Sequence, residues 1–291
     1  MIASGLLPPR PRDAHKGSCG QVAICAGSRG MAGAAALCAM GALRAGAGFV
    51  KLAVPSGILD ALAAKLTEPI LVPLAETKQG TVSRKALDAL RDLAAESDVL
   101  AVGPGLSQAD ETKTLIRDIV ATGKTRMVLD ADGLNGIAGA ATSLRSLRGR
   151  AVLTPHPGEL ARLLHSTAEK IQEARLETTI DFAKRHGVVT ILKGADTVVA
   201  DPNGSHFINE TGNAGMASGG MGDVLTGIIA ALIGQKLSLY DAACLGVYLH
   251  GLAGDIAKEE LGGIGLIASD VAVRIPLAIR RYQTGASHPR C

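Results

Sequence analysis

One acid, Asp223, stands in a stretch built almost without side chains. Residues 209–234 read NETGNAGMASGGMGDVLTGIIAALIG, seven glycines of which five lead into a Val/Leu/Ile-rich run. Glycines let main-chain N–H groups approach an anion closely, and a helix beginning there points its positive dipole end at the same spot. The stretch therefore reads as a phosphate cradle. An acid beside such a cradle repels the ligand unless it has work to do, as a proton acceptor or in holding a metal. The competing reading is a helix N-cap, since Asp is favoured there with Gly just outside it. Taken alone, the spacing favours the cap.

Other loops bear on that choice. "AGSRGMAGAA" (26–35), "GPGLS" (103–107), "DADGLN" (130–135), "TPHPGE" (154–159) and "KGADT" (193–197) each follow a β-branched run. Singly they read as turns, an N-cap or, for His156 between two prolines, a loop histidine. Their shared placement at strand ends groups them. A dinucleotide fingerprint is not among them: Gly27, Gly30 and Gly33 are spaced G-x-x-G-x-x-G, and "FVKLAVPS" ends without the acid that would hold a ribose. No G-x-x-x-x-G-K-[ST] loop occurs either, so hydride transfer is poorly supported.

These loops need strands and helices to aim them. Strands are predicted at 21–26, 49–54, 97–103, 126–131, 151–155 and 188–194, with a hairpin over 196–209 turned at Pro202, Asn203 and Gly204. Helices are predicted at 33–46, 168–186, 222–234, 240–258 and 268–282, with further helical segments between the earlier strands. This βα alternation predicts an α/β fold, a mainly parallel sheet covered by helices on both faces, with ligand sites at the carboxyl ends of the strands. One domain is expected over residues 1–291, with 1–14 and 284–291 as loose tails.

Composition agrees. The 291 residues are 47% hydrophobic but only 2% aromatic, without Trp, so Ala, Val, Leu and Ile must fill the core. A net charge of +3 with both signs spread along the chain gives no footprint for nucleic acid or an anionic membrane. Five cysteines without a C-x-x-C pair suit a reduced cytoplasmic setting. Prolines interrupt the N-terminal stretch where an export signal needs apolar residues, and no run approaches the ~18 apolar residues of a span. Small-residue helices and a mean hydropathy of +0.25 predict apolar faces covered in a homo-oligomer.

"HKGSCGQVAICAGS", "GAAALCAMGALRAGAGFVKLAVP", "VGPGLS", "LDADGLN", "TPHPGELARLL", "LKGADTVVADP" and "GNAGMASGGMGDVLTG" together resemble the ADP/ATP-dependent NAD(P)H-hydrate dehydratases of the ribokinase-like superfamily. The motifs run in the family's order from His15 to about Ile279. The resemblance implies a ribokinase-like fold and, as substrate, NADH or NADPH hydrated at C6. It implies ADP or ATP as phosphoryl donor, with Mg²⁺ carried by the nucleotide's phosphates and no metal-ligand cluster in the chain. Asp223 would take the hydroxyl proton, and Gly220, Met221 and Gly222 would form an anion hole. Met221 departs from the family, which usually has a small residue such as Thr there; a backbone donor survives the change and a hydroxyl contact does not. Lys193, Gly194, Ala195, Asp196, Thr197 and Gly222 match nucleotide-contacting positions. Ala35, Gly105, His156 and Asp223 match positions contacting the hydrated dinucleotide, and Asn135 and Glu159 suggest a structural or metal-water role. The match begins almost at once, so the epimerase often joined to this domain is expected as a separate partner, and only the 6S hydrate should react. A homotetramer is expected by the same likeness. Two other readings are weighed. A sister kinase of a vitamin precursor would share "GMGD", but "TPHPGE" and "HKGSCG" argue against it; a non-catalytic nucleotide-binding protein would not need Asp223.

Overall fold

The computed structural model describes residues 5–285. Nine strands form one sheet: β1 (Gln21–Cys25), β2 (Phe49–Pro55), β3 (Ile70–Leu74), β4 (Val99–Val102), β5 (Arg126–Leu129), β6 (Ala151–Leu153), β7 (Val189–Leu192), β8 (Thr197–Ala200) and β9 (His206–Asn209). Their order is β3-β2-β1-β4-β5-β6-β7-β8-β9. Strands β1 to β7 pair in parallel, and β7, β8 and β9 pair antiparallel. The predicted hairpin is β8–β9, with Thr197 opposite Asn209. After β3 the chain crosses to the far side of β1, so the order reverses between β1 and β4. Such a reversal opens a crevice at the carboxyl ends of the two strands.

Alternation along the buried strands feeds two cores. Val22 and Ile24 of β1 face a core closed by helices Ala32–Arg44, Met221–Gly234, Leu239–Leu261 and Ala268–Thr284. Ala23 and Cys25 face the opposite core, closed by Leu87–Ala95, Asp110–Thr122, Pro157–Leu164 and Arg175–His186. In the first core two helices touch backbone to backbone. A Cβ on Gly41 would overlap the carbonyl oxygen of Val224, and one on Gly227 would overlap that of Cys38. Bare positions on both helices are what permit so close a crossing.

Two elements differ from expectation. Strand β3 has no counterpart in the sequence reading: it is a short sheet edge containing Pro73, which an edge tolerates because its outer N–H groups need no partner. The helix predicted over 168–186 is two, Ala168–Glu173 and Arg175–His186, broken at Ala174 (φ −131°, ψ 44°). The break sets the Arg175 guanidinium on the carbonyl oxygens of Leu192 and Asp196, at 3.1 and 3.4 Å. Of the N-terminal stretch, Leu6 donates its N–H to the Tyr282 hydroxyl at 3.1 Å; residues 1–4 and 286–291 of the expected tails lie outside the described residues. No helix among the described residues is long and apolar enough to cross a membrane.

Candidate active site

Asp223 lies in the first turn of Met221–Gly234, but it is not the cap. Gly220 is the N-cap, with φ +90°, so Met221, Gly222 and Asp223 are the first three helical residues. The left-handed conformation at Gly220 suits only glycine readily, and any Cβ there would press on Leu37 and Ala268. Helix-start N–H groups have no intrahelical acceptor, so this turn presents free donors beside a carboxylate. Burial, followed by the nearby Asp130 and Asp132 carboxylates, pushes the Asp223 carboxyl up to about 7; Lys193 opposes them and is outweighed. A carboxyl poised there can hold or release a proton at neutral pH.

Beneath Asp223 is a buried polar cluster centred on Asp130, at the carboxyl end of β5. Its Oδ1 accepts from Lys193 Nζ at 2.6 Å and from the Thr154 hydroxyl at 2.8 Å. Its Oδ2 accepts from the Thr226 hydroxyl at 2.9 Å. Lys193 also lies 3.7 Å from Glu159. Burial works against the Lys193 ammonium, yet Asp130 and Glu159 outweigh it and hold the group above its ordinary range. Ala131, between Asp130 and Asp132, has φ +46° and ψ −118°, a strained conformation for a residue with a side chain. One acid is thereby sent down to Lys193, and the next outward to accept the Ser107 N–H at 2.8 Å.

The predicted loops do meet along this edge. Gly27 N–H donates to Pro104 O at 2.7 Å, and the Ser28 hydroxyl to Gly105 O at 2.8 Å, across the β1–β4 crevice. A Cβ on Gly105 would lie 2.9 Å from Ala34 and 3.0 Å from the Met31 side chain, so this loop rests on the start of the following helix. Ala35 is 0% exposed; the residue against Gly105 is Ala34. Asn135 donates to Asp132 at 3.2 Å and accepts from Arg162 at 3.0 Å.

His156 is half-exposed and serves as N-cap of Pro157–Leu164, its Nδ1 accepting from Gly158 N–H at 3.0 Å. The buried Glu159 returns the favour, accepting His156 N–H at 2.8 Å. Burial, with Lys193 and Arg162 nearby, lowers the His156 imidazole below its usual range despite Glu159. The capping pair thus fixes His156 at the rim, with Nε2 3.4 Å from Glu159.

A cleft of about 690 Å³ runs from Lys193–Thr197 past the 209–217 strap to Met221 and Gly222. All six residues of the predicted nucleotide set line it, including Gly222. Asp223 adjoins its inner end, because Gly222 lies directly over Lys193: a Cβ there would stand 3.3 Å from Nζ. The strap is tied to helix Leu239–Leu261 by Asp255, which accepts from Gly212 N–H and the Asn213 amide, both at 2.9 Å. His250, also lining the cleft, is buried and bonds the Met221 backbone; burial holds its imidazole down to about 4. Its Nε2 has no partner among the described residues.

Sequence reasoning passed over Asp130, Thr154 and Thr226. The available signal was an acid ending the apolar run MVL, where a fully covered parallel strand has no water to offer it.

Comparison with known proteins identifies the family. A family model described as NAD(P)H-hydrate dehydratase matches residues 22–277. The bifunctional NAD(P)H-hydrate repair enzyme Nnr of Moorella thermoacetica is 48% identical over 277 residues, covering 95% of this chain and 52% of its own. The chain thus spans about half the length of several of the curated relatives it matches. The ADP-dependent (S)-NAD(P)H-hydrate dehydratase of Neisseria meningitidis serogroup B is 36% identical over 267 residues, covering 90% and 86%. Among solved structures, the ADP/ATP-dependent NAD(P)H-hydrate dehydratase of Bacillus subtilis, crystallised with ATP and Mg²⁺, superimposes with a TM-score of 0.78 at 29% identity, covering 95% and 94%. A ribokinase from Thermotoga maritima (TM-score 0.55, 15% identity, covering 90% and 99%) shares the fold alone. The architecture is therefore ribokinase-like, and the chain belongs to the NAD(P)H-hydrate dehydratase family.

Proposed function

We propose that the protein restores hydrated NADH and NADPH by phosphorylating the C6 hydroxyl of the 6S form and eliminating phosphate. The observation that carries the reading is Asp223, held near pH 7 in the first turn of a glycine-started helix whose Met221 and Gly222 line the cleft. The hydroxyl oxygen attacks the terminal phosphorus of ADP or ATP, the bond to the leaving nucleotide oxygen breaks, and Asp223 takes the hydroxyl proton. The ring nitrogen lone pair then expels phosphate from C6, and loss of a proton from C5 restores the double bond. Backbone N–H groups of Gly220, Met221 and Gly222 face the transferring phosphoryl, with the helix dipole behind them. Met221 offers no hydroxyl, so only its backbone acts. Lys193 through Thr197 with Gly222 hold the nucleotide. Gly105 and His156 face the dinucleotide, and Ala34 supports that loop where Ala35 lies beneath the surface.

No group of three or more His, Cys, Asp or Glu side chains among the described residues is placed to hold a metal. Asp130 and Glu159, the nearest buried acids, are already engaged by Lys193. Mg²⁺ would arrive on the nucleotide's phosphates, where it would supply charge neutralisation. Free thiols at Cys19, Cys25, Cys38 and Cys244 fit a reducing cytoplasm. The exposed Leu261, Ile264, Ile267, Val273 and Leu277 cluster on and before helix Ala268–Thr284 and support assembly, as a homotetramer, through that face. An epimerase activity would feed the 6S form.

Hydrated NADH, Mg²⁺ and ADP or ATP should yield inorganic phosphate in step with recovered reduced-nicotinamide absorbance, at about one to one by the chemistry above. About half of a racemic hydrate should persist until an epimerase is added, since Asp223 meets the hydroxyl from one face. Hydrated cofactor left untouched while a vitamin precursor acquires a stable phosphate would overturn the assignment.

A further inference from the structure

Asp130 is 1% exposed, and the chemistry above gives it no task. We propose that Asp130 is a positioning residue for phosphoryl transfer, a buried carboxylate that clamps the first residue of the nucleotide segment to the catalytic helix. This rests on reading Asp223 as the base.

The geometry is that of a three-way tie. Lys193, which opens the nucleotide segment, gives Asp130 its ammonium at 2.6 Å. Thr226, three residues beyond Asp223 and so on a neighbouring face of the same helix, gives its hydroxyl at 2.9 Å. Thr154, from the loop that leads to His156 and helix Pro157–Leu164, gives its hydroxyl at 2.8 Å. The Lys193 main chain is anchored from the same loop, donating its N–H to Pro155 O at 2.9 Å. Nothing intervenes between the clamp and the helix start, because a Cβ on Gly222 would stand 3.6 Å from Asp130 Oδ2. The separation of nucleotide from base is therefore set through one carboxylate, and sub-ångström errors in such separations are costly to rate.

A purely architectural role accounts poorly for this arrangement. Burying an ion pair costs desolvation that apolar side chains of similar volume avoid. The strained Ala131 that directs Asp130 inward adds a further cost. Both are expected where a charge must be held for a reaction. The clamp also reaches Asp223 through space. The charged groups facing Asp223 are Asp130, Asp132 and Lys193, and the Cys38 thiol lies close by. With Asp130 made neutral, Lys193 would face Asp223 without its counter-charge, and the Asp223 proton would be lost more easily.

The test uses the full chain with Asp130→Asn and Thr226→Val, and Asp223→Asn as reference. For Asp130→Asn, kcat with hydrated NADH should fall roughly ten- to a hundredfold while the calorimetric nucleotide Kd stays within about threefold. The acidic limb of its rate profile, and the ¹³C carboxyl titration of Asp223, should move down by about one pH unit. For Thr226→Val a loss of roughly three- to tenfold in kcat is expected, with that limb unmoved. An Asp130→Asn enzyme with kcat within threefold of the parent would refute the proposal. So would a loss carried entirely by Kd with the limb in place. If Asp130→Asn does not fold, Thr226→Val decides, and an unchanged kcat sinks the clamp. If the parent shows no turnover of hydrated dinucleotide, the functional reading fails by itself. The ligand-free Asp223 titration then judges the clamp, and an unmoved signal in Asp130→Asn refutes it.

Discussion

Replacing Asp223 by Asn should make the protein more stable and nearly inactive. A carboxyl held at about 7 instead of its ordinary 3.8 resists ionisation in the fold. The unfolded chain releases that proton above pH 3.8, while the folded protein keeps it until about 7. The native state is therefore penalised progressively as pH rises through that window, and not at all below it. At about 1.4 kcal/mol per pH unit, the penalty reaches roughly 4 kcal/mol at neutral pH; access of solvent to the half-buried group lowers this to about 2–4 kcal/mol. An amide carries no such penalty, so Asp223→Asn should melt about 5 °C higher at pH 7.5 and match the parent near pH 4. Turnover should drop a hundredfold or more, on the order of a general base's contribution, with nucleotide binding retained. In the parent, activity should rise through pH 7 as Asp223 ionises. Calorimetric melts at pH 4, 6 and 7.5, paired with rate profiles, read both effects. A stability difference that ignores pH would refute the electrostatic reasoning, and near-parental turnover would leave Asp223 without a catalytic role.

Lys193→Met should cost about 3–5 kcal/mol in urea unfolding, because it strands the buried Asp130 without its cation, and adding Asp130→Leu should recover much of that stability without recovering activity. The His250 imidazole, neutral in the fold down to about 4, contributes stability that is lost as pH falls from 6.5 towards 4, by roughly 3 kcal/mol; His250→Gln should flatten that part of the urea-midpoint curve. Gly227→Ala should lower thermal stability by about 1–3 kcal/mol, since its methyl would overlap the Cys38 carbonyl, and a melt within 1 °C of the parent would contradict the crossing geometry.

The parts of this molecule governed by local pattern were readable in the chain. Six parallel strands, the β8–β9 hairpin and the Ala32–Arg44 helix follow from runs of Val, Leu and Ala punctuated by Gly and Pro. The convergence of the GPG, DADG, TPHPGE and KGADT loops followed from strand topology. What escaped was non-local. Strand β3 forms because β2 offers it an edge, a partner that no window around Pro73 reveals. The split at Ala174 goes with contacts from Arg175 to the Leu192 and Lys193 carbonyl groups, residues that no local window includes. Asp130 was seen only as part of a turn, since its three partners come from residues 24 to 96 positions away. Whether Asp223 is the cap turned on three residues of register: with Gly220 as N-cap, the acid is the third residue of the helix.

The crossing of Ala32–Arg44 against Met221–Gly234 has a consequence for how such a protein can change. Gly41 and Gly227 form a seam in which main chain meets main chain, so no side chain is available there to be enlarged, trimmed or exchanged. Adaptation elsewhere in a core proceeds by compensating swaps, a larger residue opposite a smaller one. Along this seam the only compensation is a shift of a whole helix, and one of the two helices carries Asp223. Saturation mutagenesis should therefore find a narrow intolerant line running through both helices. Laboratory evolution towards other hydroxyl-bearing substrates would then advance through the rim loops around Gly105 and His156, leaving the seam as it stands.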